Sequence, residues 1–357
     1  MKKRPRAPEP PGAARVTVKT VASRAGVSVA TVSRVLGGHA DAVTDATRAR
    51  VIRAADELGY QPNSLAVALR KGVTKTIGLI VPDISDAYFH LIARGVEDVA
   101  QDAGYAVVFC NSDRKVDKET LCLDLLRDKR VDGIIFCGGG VDDERHLQGR
   151  NWGAAKVVAI GPHVVDLPSI RVDDSSAIEA AIAHLARGGR RRVLCIAGEA
   201  DWLITQRRLA GYRAGVENLA LDADPALVSF HGFKSADGRR AVSEALASGV
   251  QFDAAIAFDD DAALGAMAAL RAAGRRVPDD VAVIGCDDIP FGSLAQPSLS
   301  TIRFPTYDFG TTAAHMVLDM LAGRDIERVV DFPFELCIRE SCGGLLPASH
   351  AQKGEPA

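Results

Sequence analysis

The chain has 357 residues, 47% of them hydrophobic and 25% charged, with a formal net charge of −3. This length predicts two or three domains, and the composition excludes a disordered or fibrous protein. No apolar run approaches the roughly eighteen residues that a membrane span needs, so we expect no membrane partner. Residues 1–72 carry thirteen Lys or Arg and five Asp or Glu, a net of +8, whereas the rest carries 30 and 41, a net of −11. A basic head on an acidic body indicates that the head meets nucleic acid, although a solvated basic tail remains the alternative.

The first fifteen residues form a basic, proline-rich segment that we expect to be a disordered tail. No apolar run follows that could act as a signal peptide, so a cytoplasmic protein is expected. The seven cysteines include no C-x-x-C pair, which favours reduced, packed side chains over disulfides or a zinc site. We therefore expect neither a metal nor a cofactor.

Residues 16–62 have the pattern of three short helices. Thr17 is a candidate N-cap for the first helix, which Gly26 would end in a left-handed conformation. Ser28 is a candidate N-cap for the second, in which apolar residues recur at helical spacing. Thr44 would cap a third helix over residues 45–58. Two helices joined by a short turn at Gly26 predict a helix-turn-helix, whose second helix enters the major groove of DNA.

The motifs A-G-V-S at 25–28, T-V-S-R-V-L at 31–36 and E-L-G-Y-Q-P at 57–62 resemble the head of the lactose-repressor (LacI/GalR) family. This resemblance implies a sequence-specific DNA-binding regulator, most often a repressor. It also implies that small apolar side chains meet base edges, that an arginine reaches a base or the backbone, and that hydroxyls hold phosphates. The residues implied in DNA binding are Thr17, Ser28, Val29, Ala30, Thr31, Ser33 and Arg34.

Residues 63–72 are predicted to be a hinge helix and linker. Asn63 is a good N-cap, but the apolar segment behind it is too short to be a stable helix alone. In the family that the sequence resembles, the matching segment becomes helical when two subunits meet on DNA. The resemblance implies that Leu69 then wedges into the minor groove, while packing against the body is the alternative for Leu69.

Residues 73–343 are predicted to form an effector-binding α/β body, followed by a disordered tail at 344–357. Seven apolar runs, IGLIV, AVVFC, GIIF, VVAI, VLCIA, AAIAF and VAVIG, alternate with helical patterns, which predicts buried parallel strands. The resemblance implies two similar parallel-sheet lobes, like those of periplasmic binding proteins, with chain crossings near residues 173, 302 and 336. The predicted fold class is thus a three-helix helix-turn-helix head joined to a two-lobed α/β body.

Ligands of open α/β sheets bind at the carboxyl ends of the strands, where acidic and aromatic residues stand in this sequence. The resemblance implies effector contacts at Phe89, Arg208, Phe233, Asp259 and Asp287, and Tyr88 precedes one of them. Two alternatives stay open: Arg208 and Asp287 pair only with each other, or Phe89 is a core residue. The family often has Asn at the position of Asp259 and Asp at that of Gly161, and it usually has Ser or Thr in the stretch occupied here by Trp202, Leu203 and Ile204. A more apolar wall and an added acid indicate a ligand other than a simple neutral hexose.

Two other classes of protein fit the body less well. An enzyme would need a catalytic motif, and we find no G-x-S-x-G, Walker loop or H-x-x-x-H pair. A transported-solute binding protein would need a signal peptide and no helix-turn-helix. The expected partners are a near-palindromic double-stranded DNA operator, a small-molecule effector and a second copy of the chain in a homodimer or higher oligomer. A sugar or sugar derivative is the favoured effector, and a nucleoside or purine is the alternative.

Overall fold

The computed structural model describes residues 16–37, 43–60, 72–138, 147–163 and 165–344. It divides into two compact units, with the boundary between Thr74 and Lys75. The predicted hinge residues Asn63 and Leu69 lie outside the described residues. So do residues 1–15 and 345–357, where disordered tails were predicted.

The first unit is a three-helix head, with α1 at Val18–Ala25, α2 at Val29–Leu36 and α3 at Asp45–Glu57. The Thr17 and Ser28 hydroxyls accept backbone hydrogen bonds at the starts of α1 and α2, as the sequence predicts. Gly26 ends α1 with a φ of 64°. Thr44 also stands at an N-cap, but its hydroxyl bonds to the Thr47 hydroxyl rather than to the backbone.

One apolar residue from each helix fills the centre of the head. The side chains of Val21, Val32 and Val51 are fully buried. At the surface, Arg24 of α1 forms an ion pair with Glu57 of α3, with 2.6 Å between Nη2 and Oε2. The short helices are therefore held by packing against one another, because helices of eight residues are marginal alone.

The second unit contains two six-stranded sheets. Lobe 1 is built on β1 Thr76–Val81, β2 Ala106–Asn111, β3 Gly133–Cys137, β4 Lys156–Ile160, β5 Ser169–Val172 and β11 Val329–Phe332. Lobe 2 is built on β6 Val193–Ala197, β7 Val228–Phe230, β8 Ala254–Ala257, β9 Ala282–Cys286, β10 Ser300–Arg303 and β12 Glu335–Cys337. The strand orders, β2-β1-β3-β4-β5-β11 and β7-β6-β8-β9-β10-β12, are equivalent. All pairings are parallel except β10 with β12.

Helices of the second unit cover the sheets, as parallel strands require. They are α4 Ala87–Asp102, α5 Val116–Asp128, α6 Asp174–Arg187, α7 Leu203–Asn218, α8 Ser235–Ala247, α9 Asp260–Ala272, α10 Pro290–Leu294 and α11 Thr306–Leu321. The chain passes from lobe 1 to lobe 2 between β5 and β6. It returns between β10 and β11, and it crosses once more between β11 and β12.

Glycines set the contact between two of the helices in lobe 1. A Cβ added to Gly95 of α4 would collide with the Tyr307 carbonyl oxygen, and one added to Gly310 of α11 would collide with that of Ile92. The two helix backbones therefore touch directly. Gly238 of α8 and Gly265 of α9 make the same kind of close approach in lobe 2.

Within the described ranges, none of the helices has the length and apolar character needed to cross a membrane.

Candidate DNA-binding surface and ligand cleft

The start of α2 presents a small polar and apolar surface to solvent. Val32 and Val35 of this helix face the head core, which leaves the predicted recognition residues outside. Ser28, Val29, Ala30 and Arg34 are exposed, while Thr31 and Ser33 are half-buried. Thr17 is exposed at the start of α1. The structure thus leaves every predicted DNA contact of the head accessible at least in part, and their roles remain predictions.

Two arginines of the head differ in their surroundings. Arg24 is held by Glu57, with hydrogen bonds of 3.0 and 2.6 Å to Oε2. Within the part of the chain that the structure describes, no carboxylate lies within ion-pair distance of Arg34. The guanidinium of Arg34 is therefore available for an external acceptor.

The six residues predicted to contact an effector line one cleft between the lobes. Tyr88 and Phe89 lie in the first turn of α4 in lobe 1. The other four come from lobe 2: Arg208 on α7, and Phe233, Asp259 and Asp287 in the loops after β7, β8 and β9. They meet because each strand end opens at the same edge of its sheet. Binding of a ligand to them stays a prediction.

Arg208 lies at the base of the cleft and is almost completely buried. Its Nε donates to Oδ1 of Asp174 at 3.0 Å, and its Nη1 donates to the carbonyl of Phe258. Its Nη2 lies 3.5 Å from Oδ1 of Asp287. Arg208 pairs with Asp287 but not with Asp287 alone, because Asp174 is its nearer partner and was not predicted. Phe89, 6% exposed, packs in the core and lines the cleft as well.

Among the described residues, neither Asp259 nor Asp287 accepts a hydrogen bond from a cationic side chain. Asp259 is the N-cap of α9, and its Oδ1 accepts the backbone N–H groups of Asp261 and Ala262 at 2.7 and 3.3 Å. Burial raises the pKa of Asp259, and the nearby Asp86 and Asp287 carboxylates raise it further. Oδ1 of Asp287 is buried and accepts no hydrogen bond among the described residues. Burial raises the pKa of Asp287 too, against the attraction of Arg208.

Sequence reasoning missed two charged residues of the cleft, Asp86 and Arg114. Nη2 of Arg114 lies 3.5 Å from Oδ2 of Asp86, and both side chains are about nine-tenths buried. Burial lowers the pKa of Arg114, with the Asp86 and Asp259 carboxylates opposing that change. The signal for Arg114 was its position three residues after the end of β2, in the same kind of loop that supplied the other cleft residues.

An ion pair also joins the two lobes at the mouth of the cleft. Nζ of Lys234 in lobe 2 lies 2.7 Å from Oδ2 of Asp83 and 2.9 Å from Oγ of Ser85, both in lobe 1. Partial burial alone would raise the pKa of Asp83, but the hydrogen bonds from Lys234 and Ser85 lower it to about 2. The lobes are therefore held in a closed arrangement, and the cleft encloses only about 50 Å³.

The described residues contain no group of three or more His, Cys, Asp and Glu side chains that could hold a metal ion.

Two protein-family models match the chain. Residues 17–63 match the bacterial regulatory proteins of the lacI family, and residues 182–342 match a periplasmic binding protein-like domain. The first match covers the head and the second covers most of lobe 2. Together they confirm the predicted fold class.

Characterised relatives align along nearly their whole length. The transcriptional regulator RegA of Clostridium saccharobutylicum is 34% identical over 314 residues, which cover 87% of this chain and 94% of RegA. The ribose operon repressor of Halalkalibacterium halodurans is 33% identical, and the repressor CytR of Escherichia coli is 32% identical. Each of these two alignments covers 92% of this chain and 97% of the relative. All three are transcription regulators, which confirms the expectation that the chain is not an enzyme.

Solved structures of similar proteins support the same family assignment. A lac repressor dimer bound to operator and the anti-inducer ONPF has a TM-score of 0.81 at 25% identity, covering 92% of this chain and 99% of its own. The regulator CelR in complex with cellobiose has a TM-score of 0.69 at 31% identity, covering 92% and 100%. The three-helix head, the two equivalent lobes and these alignments show that the chain belongs to the LacI family of bacterial regulatory proteins and is a DNA-binding transcriptional repressor with a ligand-binding domain.

Proposed function

We propose that a small-molecule effector bound in the cleft sets the affinity of this repressor for a near-palindromic operator. The observation that carries the proposal is the convergence of Tyr88, Phe89, Arg208, Phe233, Asp259 and Asp287, from both lobes, on one cleft. A ligand that contacts both lobes changes how they are held relative to each other. Such a rearrangement of two lobes can change the conformation of another part of the protein.

A sugar or sugar derivative is the effector class that the cleft chemistry favours. Aromatic faces stack on the apolar face of a sugar ring, and carboxylates accept hydrogen bonds from hydroxyls. CelR was solved with cellobiose, and one relative is a ribose operon repressor. A nucleoside or purine is the alternative, because an aromatic ring that lines the cleft, such as Phe233, can also stack on a planar base.

We further propose that two copies of the chain bind the operator together. One recognition helix reads few base pairs, and two-fold symmetry doubles the contacts on a palindrome. The similar lac repressor was solved as a dimer on operator. In this proposal residues 63–72 form the hinge, with Asn63 starting its helix and Leu69 inserting into the minor groove. The surface of α2, from Ser28 to Arg34, and Thr17 at the start of α1 supply the other DNA contacts.

The test separates the two sites. Screening sugars, sugar derivatives, nucleosides and purines by thermal shift identifies a ligand, because binding to the folded state raises Tm. Operator affinity is then measured with and without that ligand, and a change of roughly 5- to 150-fold is expected from typical allosteric coupling.

Asp287→Asn and Leu69→Ala complete the test. Asn suits position 287 because its backbone φ is 112°. Asp287→Asn should abolish the ligand response and leave ligand-free operator binding unchanged, whereas Leu69→Ala should weaken operator binding and leave ligand affinity unchanged. The crossed pattern would show that the two sites are wrongly assigned.

A further inference from the structure

The guanidinium of Arg114 occupies a slot between three aromatic rings in the ligand cleft. Its central carbon lies 5.9, 4.8 and 5.1 Å from the ring centroids of Phe89, Trp202 and Phe233. These distances are typical of a cation held by the faces of aromatic rings. We call these three rings the aromatic cage. Phe89 belongs to lobe 1, and the other two belong to lobe 2.

The charges around the cage also suit a cation. Asp86 and Asp259 line the same cleft, and both are more than nine-tenths buried. Arg208 cannot neutralise them, because its donors are directed at Asp174, the Phe258 carbonyl and Asp287. If Arg114 left the cleft, Asp86 would lose its ion-pair partner and Asp259 would lose the attraction of a buried cation, which is costly for buried carboxylates.

With the lobes in this arrangement, Arg114 fills part of the space that a ligand would need. The cleft encloses about 50 Å³, whereas sites for small molecules usually enclose roughly 300–1,000 Å³. A neutral ligand that displaced Arg114 would not replace the positive charge that Arg114 presents to Asp86 and Asp259. A ligand bearing a cationic nitrogen would restore it and would also present a donor to Oδ1 of Asp287, which accepts no hydrogen bond among the described residues.

Building on the proposed effector role of the cleft, we propose that the aromatic cage with Asp86 and Asp259 is a cation site, and that Arg114 fills it in the absence of effector. The effector is accordingly a polyhydroxylated amine, of the amino-sugar class, whose protonated nitrogen takes the place of the guanidinium. Arg114 is then an internal competitor of the effector.

Chemical rescue tests the cage directly. Arg114→Ala in the full chain empties the cage, and methylguanidinium is the probe that can refill it. At about ten times its Kd, the probe should raise the Tm of Arg114→Ala by about 2–5 °C. The parent and Arg94→Ala should show no such rise, because Arg94 is an exposed arginine paired with Asp98 and Glu97 on α4. If folded Arg114→Ala does not respond, the cage is not a cation site.

Matched ligands test the effector class in the unaltered protein, independently of whether Arg114→Ala folds. Amino sugars and their parent sugars, with D-glucosamine, D-glucose and D-gluconate as the first set, are compared by calorimetry and for operator release. The amine of a matched set should bind at least about tenfold more tightly, because its hydrogen bonds to carboxylates are charge-assisted. Tighter binding and operator release by a neutral or anionic sugar would overturn the cation inference and leave the effector role of the cleft intact. If no compound in this panel binds, the amino-sugar inference fails. The effector role of the cleft fails as well only if the nucleosides and purines of the thermal-shift screen also do not bind.

Discussion

Nζ of Lys234 in lobe 2 lies 2.7 Å from Oδ2 of Asp83 in lobe 1, so one ion pair spans the mouth of the cleft. Both side chains are partly exposed, at 45% and 26%, and such pairs typically contribute about 0.2–1 kcal/mol. Lys234→Met should therefore shift the balance between closed and open lobes by up to about fivefold.

Trp202 provides the readout for this shift. The protein has two tryptophans, Trp152 and Trp202. In a Trp152→Phe background, acrylamide should quench Trp202 more strongly when Lys234→Met is added. Lys118→Met is the matched control, because Lys118 pairs with Asp113 inside lobe 1. Equal quenching in the two variants would mean that Lys234 does not hold the lobes together.

Arg34→Ala should weaken operator binding by about 1–3 kcal/mol, since it removes a charge-assisted contact to a base or phosphate. Arg24→Ala is the matched control variant. It also removes an arginine from the head, but this arginine lies on α1 and is paired with Glu57 of α3. Fluorescence anisotropy at one fixed salt concentration measures both variants, because affinity for DNA depends steeply on salt. If the Arg34 variant binds as tightly as the parent, α2 is not the recognition helix.

Asp259→Asn should stabilise the ligand-free protein increasingly as the pH rises. The pKa of Asp259 is raised by burial and by Asp86 and Asp287, with Asp261 adding to it. A carboxyl group whose pKa is higher in the folded state contributes stability at low pH, which is lost as the pH rises through that folded value. Asn stays uncharged and also serves as an N-cap.

Melting temperatures across the pH range check this prediction. Parent and Asp259→Asn should melt at similar temperatures near the ordinary carboxyl pKa of about 4, and the variant should melt higher at alkaline pH. The exposed Asp279, paired with Arg276, provides the control substitution Asp279→Asn. Parallel Tm curves for parent and Asp259→Asn would mean that the pKa of Asp259 is not raised in the folded protein.

Leu294→Asp should dissociate the homodimer. Leu294 and Phe291, on the five-residue helix α10, are 77% and 68% exposed. Because these residues are three positions apart on one helix, they form one exposed apolar patch, and we expect a second copy of the chain to cover it. Analytical ultracentrifugation should show monomers for Leu294→Asp and dimers for Leu219→Asp, which alters a less exposed leucine at the end of α7. A dimer that survives Leu294→Asp would place the interface elsewhere.

Local patterns in the sequence were sufficient to predict much of the fold. The caps at Thr17 and Ser28 are set by neighbouring residues, and the seven apolar runs are all strands. The short strands β5, β7, β10, β11 and β12 were not among those runs, because each has only three or four residues, too few to give a pattern. These strands exist because a neighbouring strand supplies their hydrogen bonds.

The cleft was predicted less completely. Its residues directly after strands, such as Asp259 and Asp287, follow from topology alone. The position of Arg114 after β2 marks it as a cleft candidate, but its contacts with Trp202 and Phe233 depend on how closely the lobes approach each other. The Lys234–Asp83 pair depends on the same distance, which no local pattern in the sequence contains. The partner of Arg208 was likewise found only in the structure, because Asp174 reaches it from the start of another helix.

The backbone contact between α4 and α11 at Gly95 and Gly310 has a consequence for genetic selections. A methyl group at either position must push the helices apart, and a tightly packed lobe has little room to absorb that change. Alleles such as Gly310→Ala should therefore lose repression through low protein abundance. They should be frequent among constitutive mutants and absent among mutants that repress normally but no longer respond to the effector.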